Sequence, residues 1–81
     1  MHFPVVFSLK VVAAVDVDLE SIIKPVMQKN DVDAEHLRLS KRSSSNGKYN
    51  SYTVTFMAKS QEQLDNIYRE LSGNPEIVFV L

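Results

Sequence analysis

The residues best equipped for chemistry lie between positions 35 and 51. The stretch "KRSSSNGKYNS" (41–51) sets Lys41, Arg42 and Lys48 among four serines and a glycine. That composition suggests a phosphate cradle. A P-loop, however, requires G-x-x-x-x-G-K-[ST] opening a helix, because backbone amides and the helix dipole hold the anion together. Here only Gly47-Lys48 is present and an alternating, strand-like run follows, which excludes the motif. His36 would have to combine with a serine of 43–45 and an acid such as Glu35 to make a nucleophilic site. Such catalysis needs an oxyanion hole and a pocket that excludes water, and nothing around His36 supplies either. His36 therefore reads as an exposed strand residue, no catalytic residue is assigned, and the chain is expected not to be an enzyme.

"DVDLE" (16–20) and "DVDAE" (31–35) space acids as a calcium loop begins. Such a loop also requires Gly at its sixth position and Glu at its twelfth. Counted from Asp16 these are Ser21 and Met27; counted from Asp31 they are His36 and Arg42. The acids read instead as helix capping and loop solvation, and no metal or cofactor is expected.

The elements that position these residues follow from hydrophobic period. In "PVVFSLKVVAAV" (4–15), Phe7, Leu9 and Val11 alternate with Ser8 and Lys10, a strand with one wetter face. In 16–30, Leu19, Ile22, Ile23, Val26 and Met27 form one helical stripe. Asp16 or Asp18 is the expected N-cap, and Pro25 should kink the helix or loosen its middle. "AEHLRLSKR" (34–42) and "NSYTVTFMAK" (50–59) alternate again and, joined through Asn46-Gly47, read as a hairpin. "SQEQLDNIYRELSG" (60–73) is a helix with a Ser60/Gln63 capping box, a Leu64, Ile67, Tyr68 and Leu71 stripe, and Gly73 at its end before Pro75. "EIVFVL" (76–81) closes as a strand.

The order β-α-β-β-α-β, with right-handed crossovers, favours an α+β ferredoxin-like βαββαβ two-layer sandwich. Its sheet is antiparallel in the order 4-1-3-2, with both helices on one face. The expected core on the sheet side is Phe7, Leu9, Val11, Leu37, Leu39, Tyr52, Val54, Phe56, Ile77 and Phe79. The open face then presents Lys10, Arg38, Thr53 and Thr55 and carries no aromatic on its central strands. Without a stacking platform, nucleic-acid binding is disfavoured.

The chain has 81 residues, 44% of them hydrophobic, and is expected to form one domain over 1–81. Its net charge of −1 lacks the basic excess of a nucleic-acid module. There is no cysteine, which excludes disulfides and cysteine-ligated zinc. No apolar run reaches the roughly 18 residues that span a bilayer. The first residues lack a basic n-region and Lys10 interrupts them. The expectation is a soluble, cytoplasmic protein that does not enter the membrane.

With the elements placed, residues 3–81 resemble the YbeD-like family, small bacterial proteins of unknown function. The likeness runs from "FPVVFSLKVV" through "SSSNGKYNSYTVTF" and "QEQLDNIYRELSG" to "IVFVL". Its most telling piece is S-x-x-G-x-Y-x-S: Ser44, Gly47, Tyr49 and Ser51. The resemblance implies an ACT-like fold, similar to regulatory domains of amino-acid metabolism, and carries over no catalytic residues. ACT-type domains pair edge to edge and bind an amino acid beside the first strand–helix loop. Here that loop, Ala13 to Asp18, lacks glycine and carries Asp16 and Asp18, which repel a carboxylate.

The expected function is a non-enzymatic, ACT-like regulatory module acting by contact with a protein partner, with a homodimer as one arrangement. The alternatives are sensing of a small ligand (an amino acid or lipoyl-type acid) at a dimer interface, and weak nucleic-acid binding through the 41–51 hairpin and the open face. The candidate contact residues are Lys41, Arg42, Ser44, Gly47, Lys48, Tyr49 and Ser51 in the loop, with Lys10, Arg38, Thr53 and Thr55 on the sheet.

Overall fold

The structure is a computed structural model and describes residues 2–43 and 46–81. The elements are β1 (Val5–Ala14), α1 (Leu19–Lys29), a 3₁₀ turn (Ala34–His36), β2 (Arg38–Ser43), β3 (Tyr49–Ala58), α2 (Gln61–Ser72) and β4 (Ile77–Val80). The strands form one antiparallel sheet in the order β2-β3-β1-β4, the expected order read from the other edge. The expected fold class therefore stands: an α+β, ferredoxin-like sandwich.

One face of the sheet makes the core. Leu9, Val11, Val54 and Phe56 are buried against Leu19, Ile23 and Met27 of α1 and Leu64, Ile67 and Leu71 of α2. Phe7 and Phe56 face each other across β1 and β3 and meet edge to face with ring centroids 6.2 Å apart. Leu37, Leu39, Tyr52 and Tyr68 are half-buried at the rim of this cluster.

Both helices begin on side-chain caps. The Asp18 carboxylate accepts from the Ser21 N–H and hydroxyl, so the first "DVD" does cap a helix. The Ser60 hydroxyl accepts from the Gln63 N–H at 3.1 Å. α1 continues unbroken through Pro25, which lies on its exposed side. There Ser21, whose carbonyl loses its helical donor, is also exposed, so that carbonyl faces water.

Four expectations need correction. Ala34–His36 is a 3₁₀ turn rather than strand, so His36 is exposed on a turn. The capping box is half-formed: the Gln63 side chain accepts from Lys59 N–H (2.7 Å) and donates to the Asn30 carbonyl (2.8 Å), tying α2 to the end of α1. The second "DVD" is more than loop solvation. Asp31 takes a left-handed φ of 65°, Asp31 N–H bonds Gln28 O, and Val32 N–H bonds Met27 O. That is a Schellman end to α1, with Val32 and Met27 both buried.

The fourth correction concerns Phe79, expected in the core and found 45% exposed. The β1–β4 register runs Val11↔Val80 and Val12↔Phe79, then jumps to Ala13↔Ile77. Val78 is the extra residue of a β-bulge. Strict alternation would put Ile77 and Phe79 on one face; the bulge keeps Ile77 and Val80 inward and turns Phe79 outward.

Candidate functional site

The bulge builds the site. On the open face, Arg42, Ser51, Val12 and Phe79 stand in one row across the four strands, each paired with the next. Lys10 lies in the adjacent row opposite Thr53. Tyr49, opposite Ala14, shares their face because it is two residues from Ser51. These side chains surround a hollow of about 490 Å³, lined by Lys10, Val12, Arg42, Tyr49, Val78 and Phe79 among others. Val12 is its floor: though it sits on the open face, it is only 8% exposed. Tyr49, Val78 and Phe79 around it are 43%, 55% and 45% exposed.

The charge is as uneven as the hydrophobicity. None of the chain's ten carboxylate residues falls in a strand. Lys24 pairs with Glu20, Lys29 with Glu70, and Lys59 with Asp31 and Asp33, all on or beside the helical layer. On the open face stand Lys10, Arg38 and Arg42, with no carboxylate among them. Arg38 donates to the Glu35 and Leu37 carbonyls, so part of its hydrogen-bonding capacity is spent locally. Next to it, Ser8 and Thr55 share a hydroxyl hydrogen bond of 2.8 Å.

The sequence-predicted residues thus divide. Arg42, Tyr49, Ser51 and Lys10 converge on the hollow. Thr53, Thr55 and Arg38 share the face farther along. Lys41, opposite Tyr52, faces the helical layer at its rim, and its charge contributes to holding the Asp18 carboxyl below its ordinary range, after the Ser21 hydrogen bonds. Gly47 has a φ of 70° and supplies the left-handed turn. Lys48 is exposed in that turn; its backbone N–H bonds the Asn46 side chain and its carbonyl accepts from Val15 N–H. Ser44 lies outside the described residues, as does Ser45.

Sequence reading missed Val12, Val78 and Phe79, and with them the hollow. It also placed no aromatic on the open face, whereas Tyr49 and Phe79 are both there. They flank one end of the sheet; the middle of β1 and β3 carries Ser8, Lys10, Thr53 and Thr55. A spacing of Gln-x-x to a carbonyl on another helix has no sequence signal, so the Gln63–Asn30 tie was equally out of reach.

Among the described residues, Ser43 is the serine of the set considered for His36, and the two are held apart. His36 precedes β2, and Ser43 closes it. At about 3.3 Å per strand residue the two ends of β2 alone stand some 16 Å apart. A second hollow of about 540 Å³ lies beside α1, lined by Glu20, Lys24, Gln28, Val32, Leu37 and Leu39. Its charged residues, Glu20 and Lys24, already satisfy each other at 3.1 Å. Among the described residues no helix is long and apolar enough to cross a membrane.

Comparison with known proteins agrees with this architecture. UPF0250 proteins of Paraburkholderia phytofirmans and Neisseria meningitidis are 38% and 36% identical, over 99% and 100% of this chain and 90% and 89% of theirs. In structure, the chain is similar to protein HP0495 from H. pylori (TM-score 0.82, 17% identity, all of this chain and 85% of that one). It is also similar to the ACT domain from the GTP pyrophosphokinase of Chlorobium tepidum (TM-score 0.71, 13% identity, 94% of each chain). At such identities these likenesses concern the fold alone. The family described as "Protein of unknown function (DUF493)" matches residues 1–81, and the chain belongs to it.

Proposed function

We propose that this protein is a non-enzymatic, ACT-like interaction module with a regulatory role, working in the cytoplasm through the open face of its sheet. The observation that carries the reading is the hollow over Val12. A sheet face with no binding role is expected to be polar and mixed in charge, since exposed apolar clusters rimmed by polar groups mark contact sites. This face instead clusters Tyr49, Val78 and Phe79 beside Lys10 and Arg42 without an acid. The likeness to an ACT domain within a larger enzyme supports a regulatory setting.

The test compares two folded variants as bait in a cell lysate. Phe79→Lys alters the open face; Lys24→Gln alters the helical layer. A partner held by the wild type and Lys24→Gln but lost with Phe79→Lys supports the reading. A partner held equally by all three places the contact elsewhere.

A second reading is sensing of a small acid, such as an amino acid or lipoyl-type acid. It is favoured by the combination of cations and apolar walls in one hollow. A thermal-shift screen decides it, because a ligand at about 100 times its Kd adds roughly 2.7 kcal/mol of stability.

A further inference from the structure

The open face is divided by chemistry across the strands. Val12, Val78 and Phe79 lie on the β1–β4 side, and Arg42 and Arg38 on the β2 side. Lys10 is on β1 itself, two residues from Val12, its backbone N–H and C=O paired with Leu81 at 2.9 and 2.8 Å. With strands about 4.8 Å apart, some 14 Å of sheet separates Arg42 from Phe79.

The backbone of β1 and β3 is hydrogen-bonded to a neighbouring strand on both sides. An extended segment laid across this face would find no backbone partner and would leave its own polar groups unpaired. A helix satisfies its own backbone and, at about 10 Å across, spans the hollow and reaches the cations.

A second copy of this chain fits poorly. Two open faces brought together set Lys10, Arg38 and Arg42 against a sheet surface whose strands carry no carboxylate to meet them. The helical layer of a second copy offers acids but no filler for the hollow. The large apolar residues most exposed in this chain are Val6, Val15, Tyr49, Val78, Phe79 and Leu81, none of them in α1 or α2.

We infer that the partner element seated on the open face is an acidic amphipathic helix from another protein. Its apolar side chains fill the hollow over Val12 between Tyr49, Val78 and Phe79, and its carboxylates meet Lys10 and Arg42. The inference rests on the reading of the open face as the contact surface and names the chemistry of what it contacts. The seated helix would make the sheet the middle of three layers, covering the exposed apolar rim of Tyr49, Val78 and Phe79.

The test is fluorescence anisotropy with synthetic helices of about five turns, roughly 18 residues. One carries a leucine stripe flanked by glutamates. A second has lysine for every glutamate, and a third permutes the first so that the stripe is lost. At about 50 mM salt, where charge contacts are least screened, the first binds saturably, the permuted helix at least about tenfold more weakly, and the lysine helix not at all. Phe79→Ser and Val78→Ser each weaken binding about tenfold. Lys10→Glu and Arg42→Glu do the same and flatten its salt dependence. Lys24→Gln changes nothing. Phe79→Lys, whose side chain needs no burial, serves if a serine variant fails to fold.

Equal affinity for the permuted helix, or binding that survives Phe79→Ser combined with Lys10→Glu, overturns the inference. So does saturable binding of decanoate with no binding of the acidic helix, which assigns the hollow to a small amphiphile. If the lysate partner depends on Phe79 while no acidic helix binds, the open face keeps its role and the partner's chemistry is wrong. If neither depends on Phe79, the contact surface itself is wrong.

Discussion

Phe56 and Phe79 are the same residue on opposite faces of one sheet. Phe56 is 1% exposed and Phe79 is 45% exposed. On Phe56's side, apolar side chains from four strands and two helices close over one another, while acids and cations pair around the rim. On Phe79's side, an apolar cluster and unmatched cations are left facing water. The first arrangement lowers the free energy of the chain on its own; the second does so only when something covers it. Substitutions should therefore separate the two faces, stability responding on one and binding on the other.

The sharpest break is Phe56→Ala. It removes a fully buried ring and its edge-to-face contact with Phe7, and should cost about 3–5 kcal/mol, measured by urea unfolding. Phe79→Ala should cost clearly less, about 1 kcal/mol, because nearly half of that residue already faces water. Equal losses at the two positions would dissolve the distinction between the faces.

A smaller effect is expected where the helices are tied together behind the core. Gln63→Leu leaves the Lys59 N–H and the Asn30 carbonyl without their partner and should cost about 1–3 kcal/mol. Ser60→Ala removes the N-cap acceptor of α2 and should cost about 1 kcal/mol. Neither should alter binding at the open face.

The smallest effect is electrostatic. Glu70 is held below the ordinary carboxylate range by Lys29 and then Asn30. Asp18 is held below it by the Ser21 hydroxyl and N–H. A carboxyl whose folded pKa is lowered contributes stability above its unfolded pKa, near 4, and loses it as pH falls through the lower folded value. Stability should thus decline as pH falls from about 4.5. Glu70→Gln and Asp18→Asn should each flatten that decline, which urea midpoints across an acid series would show. These carboxyls sit on the helical layer, so the same variants should leave open-face binding at neutral pH intact.

Much of the fold could be read from the residues because two periods compete cleanly along the chain. Ser8-Leu9-Lys10-Val11 and Tyr52 through Phe56 alternate, while Leu64, Ile67 and Leu71 recur at helical spacing. Ser60 marks a helix start by its own hydrogen-bonding chemistry. The site was harder to read. "IVFV" contains no polar residue to label its faces, so a single inserted residue could turn Phe79 outward without a trace in the pattern. Val12 belongs to the wetter face by parity but is covered by neighbours from two other strands, which only the register reveals. "AEH" alternates as a strand would, yet the His36 and Leu37 N–H groups bond the Asp33 and Ala34 carbonyls in a tight turn, which Arg38 braces at the Glu35 carbonyl. The cations Lys10, Arg38 and Arg42 were legible by parity; the apolar half of the site was not.

Backbone amide chemical shifts, followed as an acidic amphipathic helix is titrated into isotopically labelled protein, show which face of the sheet the helix occupies. Changes should gather at Lys10, Val12, Arg42, Ser51, Val78 and Phe79, with the outward positions of α1 and α2 silent. Changes centred on α1 and its groove, or none at saturating peptide, would contradict an open-face contact.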